Sequence, residues 1–292
     1  MVAREHASLT ISGTTQLYGI MGYPVAHSWS PLMHTFALRH HHCDAIYMPF
    51  PVAPENLAQA VQGARALGVK GFNVTIPHKE TVMAELDEVS AMAQGIGAVN
   101  TVVVRGNRTV GYNTDGEGFL QPLRAMHVDF ASLSVGILGA GGAARAIAMA
   151  LLETGCPSLT IANRTHERGE RLAAALRGAF PQALLQTVPW SAAATVAQKS
   201  DLLVNTTSLG LHGETIFTDI HFQSGQMVYD IVYNPLETPL LQAARRAGAT
   251  AIPGLDMLIG QGAVAFHLWT GLTFPVAEVR RLLQALLHQE KE

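Results

Sequence analysis

The chain has 292 residues, room for two domains of common size, and is 48% apolar and 14% charged; a charged share so far below the usual ~25% excludes a disordered polypeptide. With 19 Lys and Arg against 22 Asp and Glu the net charge is -3, which excludes general attraction to nucleic acid or an anionic membrane and leaves a small molecule as the expected partner. Cys43 and Cys156 have neither C-x-x-C nor zinc spacing, and no run reaches the ~18 apolar residues of a membrane span, so a soluble, cytoplasmic protein with reduced thiols and no metal is expected.

Residues 1 to 15 are polar and aperiodic, a loose lead-in without the apolar core of a signal peptide. Leu17 to Met21 reads as a short strand closed by Gly22, Tyr23 and Pro24. The stretch AHSWSPLMHTFALRHHH then predicts a helix with Leu32, Phe36 and Leu38 on one face. Ser30 followed by Pro31 has the form of an N-cap with proline at the first helical position. Two readings stay open for Ser28 and Ser30: helix caps, or hydroxyls that hold a carboxylate together with the N–H groups of the helix start. The run His40 to His42 reads as a solvated helix end, because adjacent helical residues point about 100° apart and do not converge on one ion.

Ala45 to Val52 predicts a second strand, ENLAQAVQGARALG a helix ending at Gly68, and GFNVT a third strand, an alternation that indicates βαβ units and a parallel sheet. Asn73 and Thr75, two apart, face one side at the strand's C-terminal end, where open α/β sheets bind ligands. HKETVMAELDEV is the next predicted helix, with Lys79 in its first turn. A cation there opposes the helix dipole and suits proton transfer; the competing reading is a surface lysine paired with Glu80 or Glu85. IGAVNTVVV and TVGYNTD flank Arg105 to Arg108 and predict a hairpin, whose antiparallel pairing would bring Asn100 and Asp115 together. Asp115 also suits the N-cap of a helix over Gly116 to Met126.

SVGILGAGGAARAIAMALLETG, Ser134 to Gly155, reads as strand, tight turn and helix. Gly139, Gly141 and Ala144 fit the G-x-G-x-x-A form of the dinucleotide fingerprint, and Ala140, Gly142 and Ala143 complete a turn whose free N–H groups face phosphates. SLTIANRT is the second strand of this unit. A domain for NAD carries Asp or Glu near its end, about 20 residues past the first glycine. Here that place holds Asn163, Arg164 and Thr165, with Arg168 one turn later. Arginine neutralises a 2′-phosphate and stacks on adenine, so NADP is expected rather than NAD. The helix HERGERLAAALRG and the strands TVPW, DLLVNTTS and QMVYDIVYN follow. PLLQAARRAG is then a helix, Ala249 to Pro253 a strand, and GLDMLIGQGAVAFHLWTG an apolar helix. In that last helix Gln261 shares a face with Leu258 and Ala265, either satisfied by backbone or turned toward a ligand.

In this order HSWSP, GFNVTIPHKE, GAVNT, NTDG, GAGGAARA, NRT, YDIVYNPLETPLL and GLDMLIGQ resemble the shikimate dehydrogenases, over nearly the whole chain. The resemblance implies an α/β fold of two domains with the active site in the cleft between them. One is an N-terminal substrate-binding domain, 1–115, completed by the C-terminal helices of 254–292. The other, 116–253, is a Rossmann-type NADP-binding domain. By the same resemblance Ser28 and Ser30 hold the substrate carboxylate, while Thr75, Lys79, Asn100, Asp115 and Gln261 hold the ring hydroxyls and the reacting oxygen, with Lys79 and Asp115 catalytic. Gly139 to Ala144 form the phosphate loop, Asn163, Arg164, Thr165 and Arg168 the clamp on the 2′-phosphate, and Ile231, Tyr233 and Gly254 border the nicotinamide or the substrate. The implied activity is the reversible NADPH-dependent reduction of 3-dehydroshikimate to shikimate, in aromatic amino acid biosynthesis, by a monomer or homodimer. The alternatives are a relative acting on quinate or an aminoshikimate-type analogue, with NAD, and a catalytically silent nucleotide-binding protein. Two positions depart from the family pattern: Thr35, where Asn is common, and Asp256, in place of a glycine.

Overall fold

The computed structural model describes residues 11–217 and 220–289. The lead-in read over 1 to 15 therefore lies outside the described residues for its first part, 1–10.

The first strand, β1 (Gln16–Gly22), leads into α1 (Ser30–His40), β2 (Ala45–Pro51), α2 (Leu57–Ala66) and β3 (Gly71–Val74). Next come β4 (Glu88–Val89), α3 (Ala91–Ile96), the hairpin β5 (Thr101–Arg105) and β6 (Arg108–Tyr112), and α4 (Asp115–Ala125). A second unit runs through β7 (Ser134–Leu138), α5 (Gly142–Glu153), β8 (Ser158–Asn163), α6 (His166–Ala179), β9 (Leu184–Pro189), α7 (Ala193–Lys199) and β10 (Leu202–Asn205). It continues with β11 (Met227–Asp230), α8 (Pro239–Arg246) and β12 (Thr250–Pro253), and the chain closes with α9 (Gly254–Thr270) and α10 (Val276–Gln289).

The strands form two six-stranded sheets, one in the order β2-β1-β3-β5-β6-β4 and one in the order β12-β11-β10-β7-β8-β9. In the first, β1 pairs parallel with β2 and β3, and the hairpin adds antiparallel pairs. The second is parallel throughout. Its order reverses between β7 and β10, the switch point at which a doubly wound sheet opens a crevice at the carboxyl ends of its strands. α4 packs on both α5 and α9, so the two lobes share a core there, with Phe119 stacked on Tyr229 at 4.7 Å between centroids. Gly118 makes the α4–α9 crossing close: a Cβ on it would run into the backbone of Gln261. Asp256, one of the two departures from the family pattern, pairs with Arg280 and ties α9 to α10.

The predicted helix HKETVMAELDEV does not form. A short 3-10 turn, Thr81–Glu85, is followed by β4. Tertiary contacts outweigh helix propensity here: Leu86 and Val89 pack on the core beneath the sheet, and Asp87 accepts the Thr109 N–H at 2.7 Å and its hydroxyl at 2.8 Å. Those two donors hold the Asp87 carboxyl below its ordinary range.

His34, on the buried face of α1, carries no signal in the sequence. It is fully buried, stacked on Tyr47 at 4.6 Å and ringed by Trp269 and Phe274, and neither ring nitrogen has a partner among the described residues. Burial lowers its pKa from 6.5 to about 3. In the unfolded chain the imidazole takes up a proton near pH 6.5, whereas in the native chain it does so only near 3. The stability due to neutral His34 is therefore complete above pH 6.5 and is lost as pH falls toward 3. In this window it adds a slope approaching about 1.4 kcal/mol per pH unit. Urea unfolding at stepped pH is expected to show that slope reduced in His34→Leu relative to wild type; equal slopes would place the acid sensitivity elsewhere.

Candidate active site

A cavity of about 170 Å³ lies between the lobes, and it takes in Ser28, Ser30, Thr75, Lys79, Asn100, Asp115, Ala143, Ile231, Tyr233, Gly254 and Gln261. These come from the segment past β3, the start of α1, the outer ends of the hairpin, the first turn of α5, the segment after β11, and α9. Asn73, Met257 and Leu258 also line it.

The hairpin sets the polar centre. Its two-residue turn, Gly106-Asn107, fixes a register in which Thr101 faces Tyr112, so Asn100 and the residues just past Tyr112 emerge side by side. Asn100 Nδ2 donates to Asp115 Oδ1 at 2.7 Å, and Lys79 Nζ donates to Asp115 Oδ2 at 2.6 Å. Both carboxylate oxygens are thereby engaged. The Asn100 amide cannot turn over, because its Oδ1 accepts the Thr114 N–H at 2.8 Å and the Thr101 hydroxyl at 3.0 Å. Behind it Asn73 donates to the Asn100 carbonyl and to Thr101 Oγ1, both at 3.1 Å, and accepts from the Tyr47 hydroxyl at 2.7 Å. Both residues line the cavity, and the lysine is the more exposed of the pair, with side-chain exposure of 22% at Lys79 and 7% at Asp115.

Several expectations are corrected. Lys79 is not in the first turn of an α-helix, so no helix dipole acts on it; its backbone carbonyl accepts the Val99 N–H at 2.7 Å and its charge is met by Asp115. Glu80 and Glu85 are not its partners. Asp115 is the first residue of α4, with Thr114 at the N-cap, because its carboxylate is committed to Lys79 and Asn100. Ser30 is likewise the first residue of α1 rather than its cap: Trp29 occupies the N-cap, and its own side chain makes no capping hydrogen bond. Ser28 Oγ accepts the Ser30 N–H at 3.2 Å, which holds the two serines in one short turn at the cavity wall. Gln261 Nε2 donates to the Leu258 carbonyl at 2.9 Å, the backbone partner that one of its two readings expects, and the residue lines the cavity.

The remaining expected residues lie away from this cavity. Gly139 takes φ +106°, a turn open to glycine, and follows β7 directly; a Cβ on Gly141 or Gly142 would meet nothing within 4 Å. The α5 N-terminus has no side-chain cap. Of the six turn residues only Ala143 reaches the cavity, while Ala144 is buried against the core. At the end of β8, Arg164, Thr165 and Arg168 are exposed, and the Asn163 amide donates to the Thr165 carbonyl at 2.6 Å. An uncovered glycine turn, uncapped N–H groups and two exposed guanidinium groups at the end of the neighbouring strand fit a dinucleotide that carries a 2′-phosphate. Among the described residues no group of three or more His, Cys, Asp or Glu is arranged to hold a metal ion. No helix among them is long and apolar enough to cross a membrane.

Asn73 is the residue that sequence reasoning placed on the right side of its strand without giving it a part. Thr101, Thr114 and Tyr47 carried no signal, since the contacts of Tyr47 with Asn73, Asn73 with Thr101 and Thr101 with Thr114 join residues 13 to 28 apart in the chain.

Comparison with known proteins matches three stretches of the chain. Residues 20–102 match a family described as the shikimate dehydrogenase substrate binding domain, residues 123–227 one described as shikimate / quinate 5-dehydrogenase, and residues 254–284 the shikimate 5′-dehydrogenase C-terminal domain. A relative from Moorella thermoacetica named shikimate dehydrogenase (NADP(+)) is 48% identical over 280 residues, covering 94% of this chain and 95% of its own. One of the same name from Geobacter metallireducens is 46% identical over 286 residues, covering 96% and 99%. The crystal structure of shikimate 5-dehydrogenase from Thermus thermophilus in complex with NADP(H) and shikimate superposes with a TM-score of 0.81 at 38% identity, covering 91% of this chain and 97% of that one. With its paired lysine and aspartate in a cleft beside a dinucleotide-type sheet, and with relatives matching end to end, the chain belongs to the shikimate dehydrogenase family.

Proposed function

We propose that the chain catalyses the reversible, NADPH-dependent reduction of 3-dehydroshikimate to shikimate, as a cytoplasmic enzyme of aromatic amino acid biosynthesis, monomeric or homodimeric. The observation that carries this reading is the Lys79–Asp115 contact of 2.6 Å, braced by Asn100, at the wall of the cavity between the lobes. The division into a substrate domain, 1–115 with 254–292, and a nucleotide domain, 116–253, is part of the same reading.

Bound NADPH supplies hydride to the substrate carbonyl. The oxygen that gains negative charge as the carbonyl is reduced needs a cation and then a proton, and Lys79 Nζ provides both. Asp115 takes up one N–H direction of the ammonium, which leaves the others for substrate. Asn100, locked by Thr114 and Thr101, keeps the carboxylate from rotating. A lysine 22% exposed regains its proton from water. Ser28 and Ser30, at the start of α1, receive the substrate carboxylate. Thr75, Asn100, Asp115 and Gln261 receive the ring hydroxyls, and Tyr233, Ile231 and Gly254 form the wall toward the nicotinamide. Gly139 to Ala144 receive the pyrophosphate, and Asn163, Arg164, Thr165 and Arg168 surround the 2′-phosphate.

The test is the initial rate of reduced-nicotinamide formation by purified protein, NADPH with shikimate and NADP⁺, and again with quinate in place of shikimate or with NAD⁺ in place of NADP⁺, where the product is NADH. Turnover that prefers shikimate and NADP⁺ supports the reading, a preference for quinate and NAD⁺ replaces it, and no turnover with any pair points to a silent nucleotide-binding protein. The cofactor half is tested separately by Arg164→Ala. Loss of a charge-assisted contact of about 1.5–3 kcal/mol should raise KM for NADP⁺ by roughly 10- to 100-fold and leave KM for NAD⁺ unchanged. A parallel rise for both cofactors would remove Arg164 from 2′-phosphate recognition.

A further inference from the structure

Trp29 stands between the two serines and has no part in the mechanism above. As the N-cap residue of α1 its carbonyl accepts the Met33 N–H at 3.0 Å, which ties its backbone to the helix. Its indole meets the phenol ring of Tyr233, with ring centroids 5.5 Å apart and planes tilted by 56°.

Tyr233 belongs to the segment that follows β11 of the parallel sheet. The base of that segment is tied to one carboxylate. Asp230, fully buried, accepts from Asn205 Nδ2 at 2.9 Å, from the Val232 N–H at 3.1 Å and from the Thr238 hydroxyl at 2.7 Å. Both ends of the segment are thus anchored in the lobe that carries the glycine turn. Its middle rests on the other lobe, where Leu236 and Trp29 pack on the core formed by Val25, Met33 and Leu255. A segment held at its base in one lobe has its tip on the serine turn of the other.

We propose that Trp29 is a positioning residue that couples the two lobes: through Tyr233 it makes the seating of Ser28 and Ser30 depend on the lobe that binds NADP(H), so that cofactor and substrate strengthen each other's binding. The proposal rests on the functional reading above. Coupling of this kind is reciprocal, so NADPH must tighten shikimate by the same factor as shikimate tightens NADPH. An aromatic pair of this geometry accounts for about 3- to 10-fold.

The experiment is calorimetric titration of shikimate into full-length protein without cofactor and with saturating NADPH, a pair that cannot react. Wild type is expected to bind shikimate more tightly when NADPH is present. Trp29→Leu is expected to cut that enhancement by about 3- to 10-fold while the affinity without NADPH changes less than about twofold, and Trp29→Phe, which keeps a ring against Tyr233, to restore most of it. A merely structural tryptophan would lower both affinities together, and that result overturns the proposal. So does an enhancement that is absent from wild type or unchanged in Trp29→Leu. Wild-type protein that binds NADPH but no shikimate would overturn the substrate reading and the coupling with it.

Discussion

Replacing Lys79 by alanine is expected to lower kcat for shikimate oxidation by about 10³-fold while KM stays within about threefold, because the amine acts on charge that develops only as the carbonyl and alkoxide interconvert. The ground-state substrate keeps its carboxylate and ring-hydroxyl partners, which lie on other elements. Lys79→Arg separates charge from proton transfer. The guanidinium retains the positive charge beside Asp115 but does not release a proton in the working pH range, so this variant should remain slow although the cleft stays electrically balanced. Steady-state rates for the three proteins, with thermal unfolding as a check on the fold, decide the matter. Near-wild-type kcat in Lys79→Ala would take this residue out of the chemistry.

Asp115→Asn should cost about 10²-fold in kcat and roughly 1–3 kcal/mol in stability, a larger effect than its single-atom change suggests. In the native protein both carboxylate oxygens accept, one from Lys79 Nζ and the other from Asn100 Nδ2. An amide offers only one oxygen. Whichever way it is turned, its NH₂ group faces a donor, and Asn100 cannot flip in response because its own oxygen is held by Thr114 and Thr101. The lysine then loses the partner that aims it. Denaturant unfolding and kcat measured on the same preparation test both halves. A variant as stable as wild type would show that the Asn100–Asp115 contact is replaceable, and one as fast would show that Lys79 needs no orienting partner.

Much of this site was legible because its signals are local. The glycine turn between β7 and α5 follows from an apolar strand, a residue that must adopt φ +106° and an alanine-rich helix, all within one short stretch. The meeting of Asn100 with Asp115 follows from a two-residue hairpin turn, since strand register propagates from the turn to the strand ends. The absence of an acid at the end of β8, and the arginines in its place, are likewise plain in the order of residues.

Other features were decided by contacts between distant segments. Propensity favours a helix after Lys79, but the Asp87–Thr109 bonds and the packing of half-buried Leu86 and Val89 on the core outweigh it, and the lysine is aimed by a tertiary ion pair instead of a dipole. Asp115 and Ser30 look like helix caps, yet each is the first residue of its helix, and Asp115's side chain is spent on Lys79 and Asn100. Chain order alone therefore determined the fold class, the nucleotide turn and the candidates for the reacting groups. Only the folded chain decided what holds those groups in place, which histidine is sealed in the core and which tryptophan bridges the lobes. The physical reason is that local backbone preference and strand register act over a few residues, whereas burial and hydrogen-bond satisfaction are settled by whichever distant segment comes to lie alongside.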